Sequence, residues 1–291
     1  MDKIIVEGGN RLAGDVKVSG AKNAALPILV SALLTDGWNT FSNVPELMDI
    51  ESTKKLLSTL GARVTAENGT VRIDSSGLNS HEAPYDLVRK MRASILVLGP
   101  LLARLKKARV SLPGGCAIGA RPINLHLKGL ASLGAKIDLK HGYVEASAPR
   151  LVGSDIYLDI PTVTGTENLM MAAVLAEGKT ILRNAACEPE VVALADVLNR
   201  MGADIRDAGT TVMTIHGVSS LNPVSTSIIP DRVEAGTLMT AAALTRGVVN
   251  ISGCEPTHLQ AVIHKLRLAG VLIDLDGSSI RVSGPEEITS I

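Results

Sequence analysis

The sequence predicts an α/β fold built from repeated units, with helices in the interior and sheets outside. A glycine that follows an amphipathic stretch recurs at intervals of 73, 68 and 68 residues. The four glycines are Gly61, Gly134, Gly202 and Gly270. Each occupies the position just after a helix, where a left-handed backbone is needed. A short β-prone run and a turn follow each glycine, so strands alternate with helices along the chain, which is typical of α/β proteins.

The repeated unit is interpreted as strand, helix, strand, helix and hairpin, or βαβαββ. The helices that begin near Ala24, Leu169 and Leu238 are apolar around most of their circumference, and this is typical of interior helices. Three such units are predicted to form one complete domain at residues 22–229. A fourth unit at residues 230–291, with residues 1–21, predicts part of a second domain of the same kind.

Four segments can be overlaid as the starts of the apolar helices. They are Gly20–Asn23, Lys90–Ser94, Gly165–Asn168 and Pro230–Glu234.

Composition excludes several classes of function. The 291 residues are 46% hydrophobic but only 2% aromatic, and the formal net charge is zero, so no nucleic-acid partner is indicated. The longest apolar runs, such as Ile95–Leu102, are too short to span a bilayer, and no membrane insertion is expected. Cys116, Cys187 and Cys254 are far apart, which favours a reducing cytoplasm without a disulfide framework. The histidines are interpreted as surface or packing residues, and no metal site is predicted.

Two predicted helix starts carry a cation, Lys22 and Arg92. The free N–H groups and the dipole at a helix start favour an anion, and a cation there would add to this attraction. The alternative is that both side chains are capping or solvated residues.

The second unit departs from the others between Leu112 and Pro122, where three glycines surround Cys116. Glycines let a backbone approach a ligand closely, and Arg121 could lower the pKa of an exposed thiol. A plain glycine-rich turn with an inert cysteine is the alternative.

Four motifs together resemble the family of UDP-N-acetylglucosamine enolpyruvyl transferases. They are Ser19–Pro27, Met91–Ser94, Leu112–Pro122 and Pro230–Thr237, and the resemblance covers all 291 residues. It implies inside-out α/β barrel domains of three units each. It also implies transfer of the enolpyruvyl group of phosphoenolpyruvate to the 3-hydroxyl of UDP-N-acetylglucosamine by addition and elimination, the first committed step of peptidoglycan synthesis. No metal or organic cofactor is implied.

The resemblance also assigns roles to residues. Lys22, a catalytic residue of the family, and Asn23 would bind phosphoenolpyruvate, and Arg92 would add positive potential near the substrates. Cys116 would be the general acid toward the methylene carbon and the target of fosfomycin. The nucleotide sugar would be held by Arg121, Pro122, Ile123, Asn124, Leu125, Thr162, Val163 and Thr164.

Some positions differ from the family pattern. The family commonly has Asp in place of Asn124, and many members have a Lys in the segment Asp159–Pro161. The family also has six units, so the chain is expected to lack a final third that carries the general base, and to be inactive when assayed alone.

Two alternatives remain open. The related 5-enolpyruvylshikimate-3-phosphate synthases share the fold, but they have Lys-Ser where this chain has Lys22-Asn23, and they lack the Cys116 loop. The other alternative is a truncated, non-catalytic relative that binds nucleotide sugars. Nothing in the sequence indicates the oligomeric state.

Overall fold

A computed structural model describes residues 3–88, 91–112 and 123–291. The chain divides into two compact units, the larger one formed by residues 22–229 and the smaller one by residues 1–21 with 230–291. Helices and strands are numbered in chain order. No helix among the described residues is long and apolar enough to cross a membrane.

The larger unit contains seven described α-helices and two 3-10 segments. The helices are α1 (Lys22–Ser31), α2 (Met48–Thr59), α3 (Tyr85–Val88), α4 (Leu98–Leu105), α5 (Asn124–Ser132), α6 (Val163–Ala173) and α7 (Pro189–Arg200), and the 3-10 segments are Ala32–Leu34 and Arg92–Val97. The smaller unit contains α8 (Arg232–Leu244), α9 (Gln260–Leu268) and the 3-10 segment Pro256–Leu259.

Three four-stranded sheets belong to the larger unit and one to the smaller unit. The first sheet has the order β13 (Ser225–Ser227), β2 (Trp38–Ser42), β4 (Thr70–Asp74), β3 (Arg63–Glu67). The second has β5 (Glu82–Ala83), β6 (Lys107–Ser111), β8 (Tyr143–Ser147), β7 (Lys136–Lys140). The third has β9 (Asp155–Tyr157), β10 (Lys179–Arg183), β12 (Val212–His216), β11 (Asp204–Arg206). The sheet of the smaller unit has β1 (Ala13–Lys17), β14 (Val248–Ser252), β16 (Ser279–Ser283), β15 (Leu272–Asp276).

All four sheets have the same topology, as the repeat predicts. In the sheet orders given above, the first strand pairs in parallel with the second. The third and fourth strands form an antiparallel hairpin, whose third strand pairs antiparallel with the second. In the first sheet the parallel partner of β2 is β13, with Ser225 opposite Thr40. The last strand of the larger unit, β13, therefore belongs to the same sheet as its first strand, β2. This pairing closes the unit on itself.

The apolar helices form the core of the larger unit. Every residue of α1 from Ala24 to Ser31 is buried, and so is every residue of α6 from Gly165 to Ala173. Helix α4 packs against α6, and α1 packs against α7. The predicted burial of the helices near Ala24 and Leu169 is confirmed, because an all-apolar helix surface is stable only when protein surrounds it. The prediction is wrong for the helix near Leu238, which is α8: one face of α8 packs on the sheet of the smaller unit, and only Ala235, Met239, Ala242 and Ala243 are buried.

The four repeated glycines end helices as predicted. Their φ angles are +104°, +93°, +107° and +89° for Gly61, Gly134, Gly202 and Gly270. After each glycine a backbone N–H returns to a carbonyl five residues back, as in Ala62 N to Leu57 O at 3.1 Å. This is the Schellman motif, which satisfies helix-end carbonyls and requires the left-handed conformation that glycine adopts easily.

The overlay of the third helix start is wrong by one turn. Helix α6 begins at Val163, and the same separation of 16 residues leads from Val163 to β10 as from Lys22 to β2. The Thr162 hydroxyl accepts a hydrogen bond from Gly165 N at 3.3 Å and caps the helix there. The second start also differs, because the 3-10 segment Arg92–Val97 precedes α4.

Helices α8 and α9 pack on the sheet of the smaller unit. Asp231 caps α8 by accepting hydrogen bonds from Val233 N at 2.8 Å and Glu234 N at 3.1 Å. The Glu234 carboxylate in turn accepts from Ser19 N at 2.8 Å and Ser19 Oγ at 2.6 Å. These bonds attach the chain just after β1 to the start of α8.

Candidate functional site

The described candidate residues lie at helix starts of the larger unit. Lys22 is the first residue of α1, Arg92 is the first of the 3-10 segment before α4, and Asn124 is the first of α5. Thr162 is the N-cap of α6, and Val163 and Thr164 form its first turn. Helix starts present N–H groups that lack intrahelical partners together with the positive end of the dipole, and both favour anions.

His126 links three of these starts. Its side chain is buried, with 1% of the residue exposed, and its Nε2 lies 3.4 Å from Thr164 Oγ1. Burial and the nearby positive charge of Arg92 lower the pKa of His126 to about 4, so the ring is neutral near neutral pH. The beginning of α5, the beginning of α6 and Arg92 are therefore close together in space.

The side-chain amide of Asn168 contacts His126 and two backbone groups. Its Oδ1 accepts from Gly99 N at 2.7 Å, and its Nδ2 donates to Ile95 O at 3.1 Å. The same Nδ2 lies 3.1 Å from His126 Nδ1. One amide from α6 thus satisfies backbone groups on both sides of the junction between the Arg92–Val97 segment and α4, where the change of helix type disturbs the regular bonding.

Lys22 and Asn23 occupy the first turn of α1. Lys22 is half-buried, and its Nζ lies 3.1 Å from Oδ2 of Asp49 in α2. Asn23 is exposed. Helix α1 contacts the 3-10 segment that begins with Arg92, so the elements that carry the two predicted cations are neighbours.

The segment predicted to hold the nucleotide sugar is mixed in character. Ile123 and Leu125 are 9% and 7% exposed and contribute their side chains to the core, whereas Asn124 is exposed. Asp159, in the segment where the family often has Lys, forms an ion pair with Lys128 of α5 at 3.1 Å. A cation is therefore present beside this segment, although it comes from another helix.

The remaining candidates Cys116, Arg121 and Pro122 lie outside the described residues. The other two cysteines, Cys187 and Cys254, are not equivalent to each other, although Glu-Pro follows each of them. Cys254 is buried, and burial raises the pKa of its thiol, whereas Cys187 is exposed. The structural counterpart of Cys254 is Ala185, because each lies two residues after its strand and donates its N–H to the neighbouring hairpin.

Buried polar residues of α6 were not recognised from the sequence. Glu167 is 1% exposed, and burial together with the charges of Glu190 and Glu188 raises its pKa well above the usual value. Burial therefore favours the protonated, uncharged form of this carboxyl. The polar triplet Thr166-Glu167-Asn168 inside an otherwise apolar helix was the available signal. Among the described residues, no cluster of three or more His, Cys, Asp or Glu could hold a metal ion.

Sequence comparisons show that this chain is similar to known enzymes over its whole length. A family described as EPSP synthase (3-phosphoshikimate 1-carboxyvinyltransferase) matches residues 6–291. The UDP-N-acetylglucosamine 1-carboxyvinyltransferase of Desulfatibacillum aliphaticivorans is 67% identical over 291 residues, which are 100% of this chain and 70% of that protein. The enzymes of the same name from Desulfosudis oleivorans and Geobacter metallireducens are 64% and 58% identical over 291 residues, with the same coverage.

Solved structures share the fold. The enolpyruvyl transferase NikO from Streptomyces tendae superposes with a TM-score of 0.84 at 25% identity, over 96% of this chain and 67% of that one. The EPSP synthase of Acinetobacter baumannii superposes with a TM-score of 0.76 at 21% identity, over 99% of this chain and 68% of that one. These superpositions confirm the predicted fold class, the inside-out α/β barrel of enolpyruvyl transferases.

Proposed function

Because this chain belongs to the EPSP synthase family of carboxyvinyltransferases, we propose that it transfers an enolpyruvyl group from phosphoenolpyruvate to the 3-hydroxyl of UDP-N-acetylglucosamine. The family resemblance predicted from the motifs is confirmed. The observation that carries the choice of acceptor is the 67% identity, over the whole chain, to an enzyme named UDP-N-acetylglucosamine 1-carboxyvinyltransferase. The product would enter peptidoglycan synthesis, in the cytoplasm that the cysteine usage favours.

In the proposed reaction a general base takes the proton of the 3-hydroxyl group, the oxygen forms a bond to C2 of phosphoenolpyruvate, and a proton adds to C3 as the double bond is consumed. The tetrahedral adduct then loses a proton from C3 and its phosphate, which regenerates the double bond. Lys22 and Arg92 would stabilise the phosphate and carboxylate charges, and Asn23 would donate a hydrogen bond. Cys116 would deliver the proton to C3.

The nucleotide sugar would bind along the starts of α5 and α6. Thr162, Val163 and Thr164 offer the first N–H groups of a helix, and such groups bind phosphate oxygens well. Asn124 is exposed at the start of α5 and can donate as well as accept hydrogen bonds. Burial of Ile123 and Leu125 supports a role in shaping this segment, with contacts to the substrate through the backbone.

Two assays with natively purified protein test the proposal. Binding of UDP-N-acetylglucosamine to the chain is measured by calorimetry. Since the chain spans 70% of the length of its relatives, phosphate release is measured for the chain alone and for a fusion to the unmatched part of the Desulfatibacillum aliphaticivorans relative. Shikimate 3-phosphate serves as the competing acceptor.

Phosphate release that depends on UDP-N-acetylglucosamine supports the proposal. Binding without release by either protein would favour the non-catalytic alternative, and release with shikimate 3-phosphate alone would favour the related synthase. If the proteins show no binding of UDP-N-acetylglucosamine and no phosphate release, the proposal is overturned.

The cation of α1 is tested by Lys22→Gln. Loss of a charge-assisted hydrogen bond should weaken phosphoenolpyruvate binding by about tenfold to a hundredfold. Lys136→Gln is the matched control, because Lys136 is an exposed lysine of β7 that forms a long ion pair, at 3.9 Å, with Asp138. Equal effects of the two substitutions would contradict the role of Lys22.

A further inference from the structure

We infer that Asn168 is a positioning residue that holds His126 in the tautomer with its proton on Nε2, so that the Thr164 hydroxyl is left to donate to a phosphate oxygen. The inference rests on the proposed function for the identity of the phosphate, which belongs to the nucleotide sugar. The arrangement of Asn168 and His126 is a property of the chain alone.

The orientation of the Asn168 amide is determined by backbone groups. A backbone N–H can only donate, so the atom 2.7 Å from Gly99 N must be the amide oxygen. A carbonyl can only accept, so the atom 3.1 Å from Ile95 O must be the amide nitrogen. Two groups with fixed roles therefore exclude the flipped amide, and they lie on the two sides of the junction between the Arg92–Val97 segment and α4.

The amide orientation then determines the state of the imidazole. The Asn168 Nδ2 group, 3.1 Å from His126 Nδ1, has only protons to offer. His126 Nδ1 must accept, which places the ring proton of a neutral imidazole on Nε2. Burial of the ring and the charge of Arg92 keep the imidazole neutral, since both lower the pKa of His126.

The hydrogen bonds that lead from Asn168 through His126, here called the relay, end at Thr164. His126 Nε2 carries the proton and lies 3.4 Å from Thr164 Oγ1, so the hydroxyl oxygen accepts there. The hydroxyl proton must point elsewhere. Thr164 is only partly buried and belongs to the first turn of α6, where an anion is favoured. A fixed donor thus faces the place proposed for the phosphates.

The opposite tautomer would place two donors against each other. A proton on Nδ1 would face the Asn168 amide nitrogen, and Nε2 would then take the Thr164 proton for itself. Leaving buried polar groups unsatisfied shifts such an equilibrium by about tenfold or more. Asn168 therefore decides whether Thr164 donates outward or inward.

Nitrogen-15 NMR of histidine-labelled chain tests the first part, with His126→Gln used to assign the ring signals. We expect an unprotonated Nδ1 and a protonated Nε2 at about neutral pH. In Asn168→Asp the carboxylate still accepts from Gly99 N but can only accept from the ring, so Nδ1 should become protonated. A protonated Nδ1 in the unsubstituted chain would overturn the inference, and this measurement requires no variant of Asn168.

Calorimetry with UDP-N-acetylglucosamine tests the second part. Thr164→Val should weaken binding by about tenfold, and Thr164→Ser, which keeps the hydroxyl, should restore most of it. Adding Thr164→Val to Asn168→Asp should cost little more, because the donor is already turned inward. Unchanged affinity in Thr164→Val would overturn the donor role.

Failure of the proposed function is distinguishable from failure of the relay. If the unsubstituted chain does not bind UDP-N-acetylglucosamine, the proposed function and the donor role both fall. The ring-nitrogen shifts are measured without ligand and still decide whether Asn168 sets the tautomer.

Discussion

Acidification should destabilise the chain through His126. Burial and Arg92 lower the pKa of His126 from 6.5 to about 4 in the folded chain. Between these values the unfolded chain binds a proton that the folded chain does not bind, so the free energy of unfolding falls as pH decreases. The contribution is fully present above the unfolded pKa, is lost through this window, and levels off below the folded pKa.

The magnitude follows from the size of the shift. One pKa unit corresponds to about 1.4 kcal/mol, so acidification from about pH 7 to about pH 4 should remove about 3 kcal/mol. Since whole domains are stable by only about 5–15 kcal/mol, a loss of this size is measurable. The protonated ring would also lose its acceptor on Nδ1, which faces Asn168.

Urea unfolding monitored by tryptophan fluorescence is a suitable assay. The chain has a single tryptophan, Trp38, which lies in β2 of the larger unit. His126→Gln is the control, because glutamine retains an acceptor for the Asn168 amide but does not titrate. Other groups titrate in both proteins, so the difference in unfolding free energy between them isolates His126. A difference that is constant between about pH 4 and pH 7 would refute the reasoning.

Three further predictions concern other buried groups. Burial raises the pKa of Glu167, so the unsubstituted chain should lose stability as pH rises from the ordinary carboxyl range to the raised pKa. Glu167→Gln should lack this loss, as urea unfolding of both proteins over a range of pH would show. Gly99→Ala should lower the melting temperature, because the new Cβ would lie 2.5 Å from a side-chain oxygen of α6, whereas Gly236→Ala, with no neighbour nearer than 3.7 Å, should not. Peptide mapping after limited alkylation should find Cys187 labelled well before Cys254, and the reverse order would contradict their burial.

Local signals in the sequence were sufficient for much of the fold. The four helix-ending glycines adopt positive φ as predicted, because the Schellman motif depends on residues within one turn. The burial of α1 and α6 was also predicted, because an apolar circumference is stable only inside protein, but the same reasoning was wrong for the partly buried α8. Overlay of short motifs was less reliable. Gly165–Asn168 matched Gly20–Asn23 in letters, yet the Thr162 cap starts the helix one turn earlier.

The candidate site was predicted only in part. The cations Lys22 and Arg92 were predicted as site residues because each lies in a motif at the start of a predicted apolar helix, and this role stays a prediction. Their neighbours Asp49 and His126 were not found, since Asp49 comes from another helix and His126 stands 34 residues after Arg92 in the sequence. Only folding brings such residues within hydrogen-bonding or electrostatic range.

The sequence by itself determined the order of strands and helices, the positions where helices end and the family. These depend on neighbouring residues, on apolar periodicity or on motifs that remain contiguous in the chain. The tertiary structure alone decided that β13 closes the sheet of β2, that Asn168 bonds both sides of the junction before α4, and that His126 lies between Asn168 and Thr164. The physical reason is that hydrogen-bond partners in a core are selected by packing between distant segments, which no local pattern encodes.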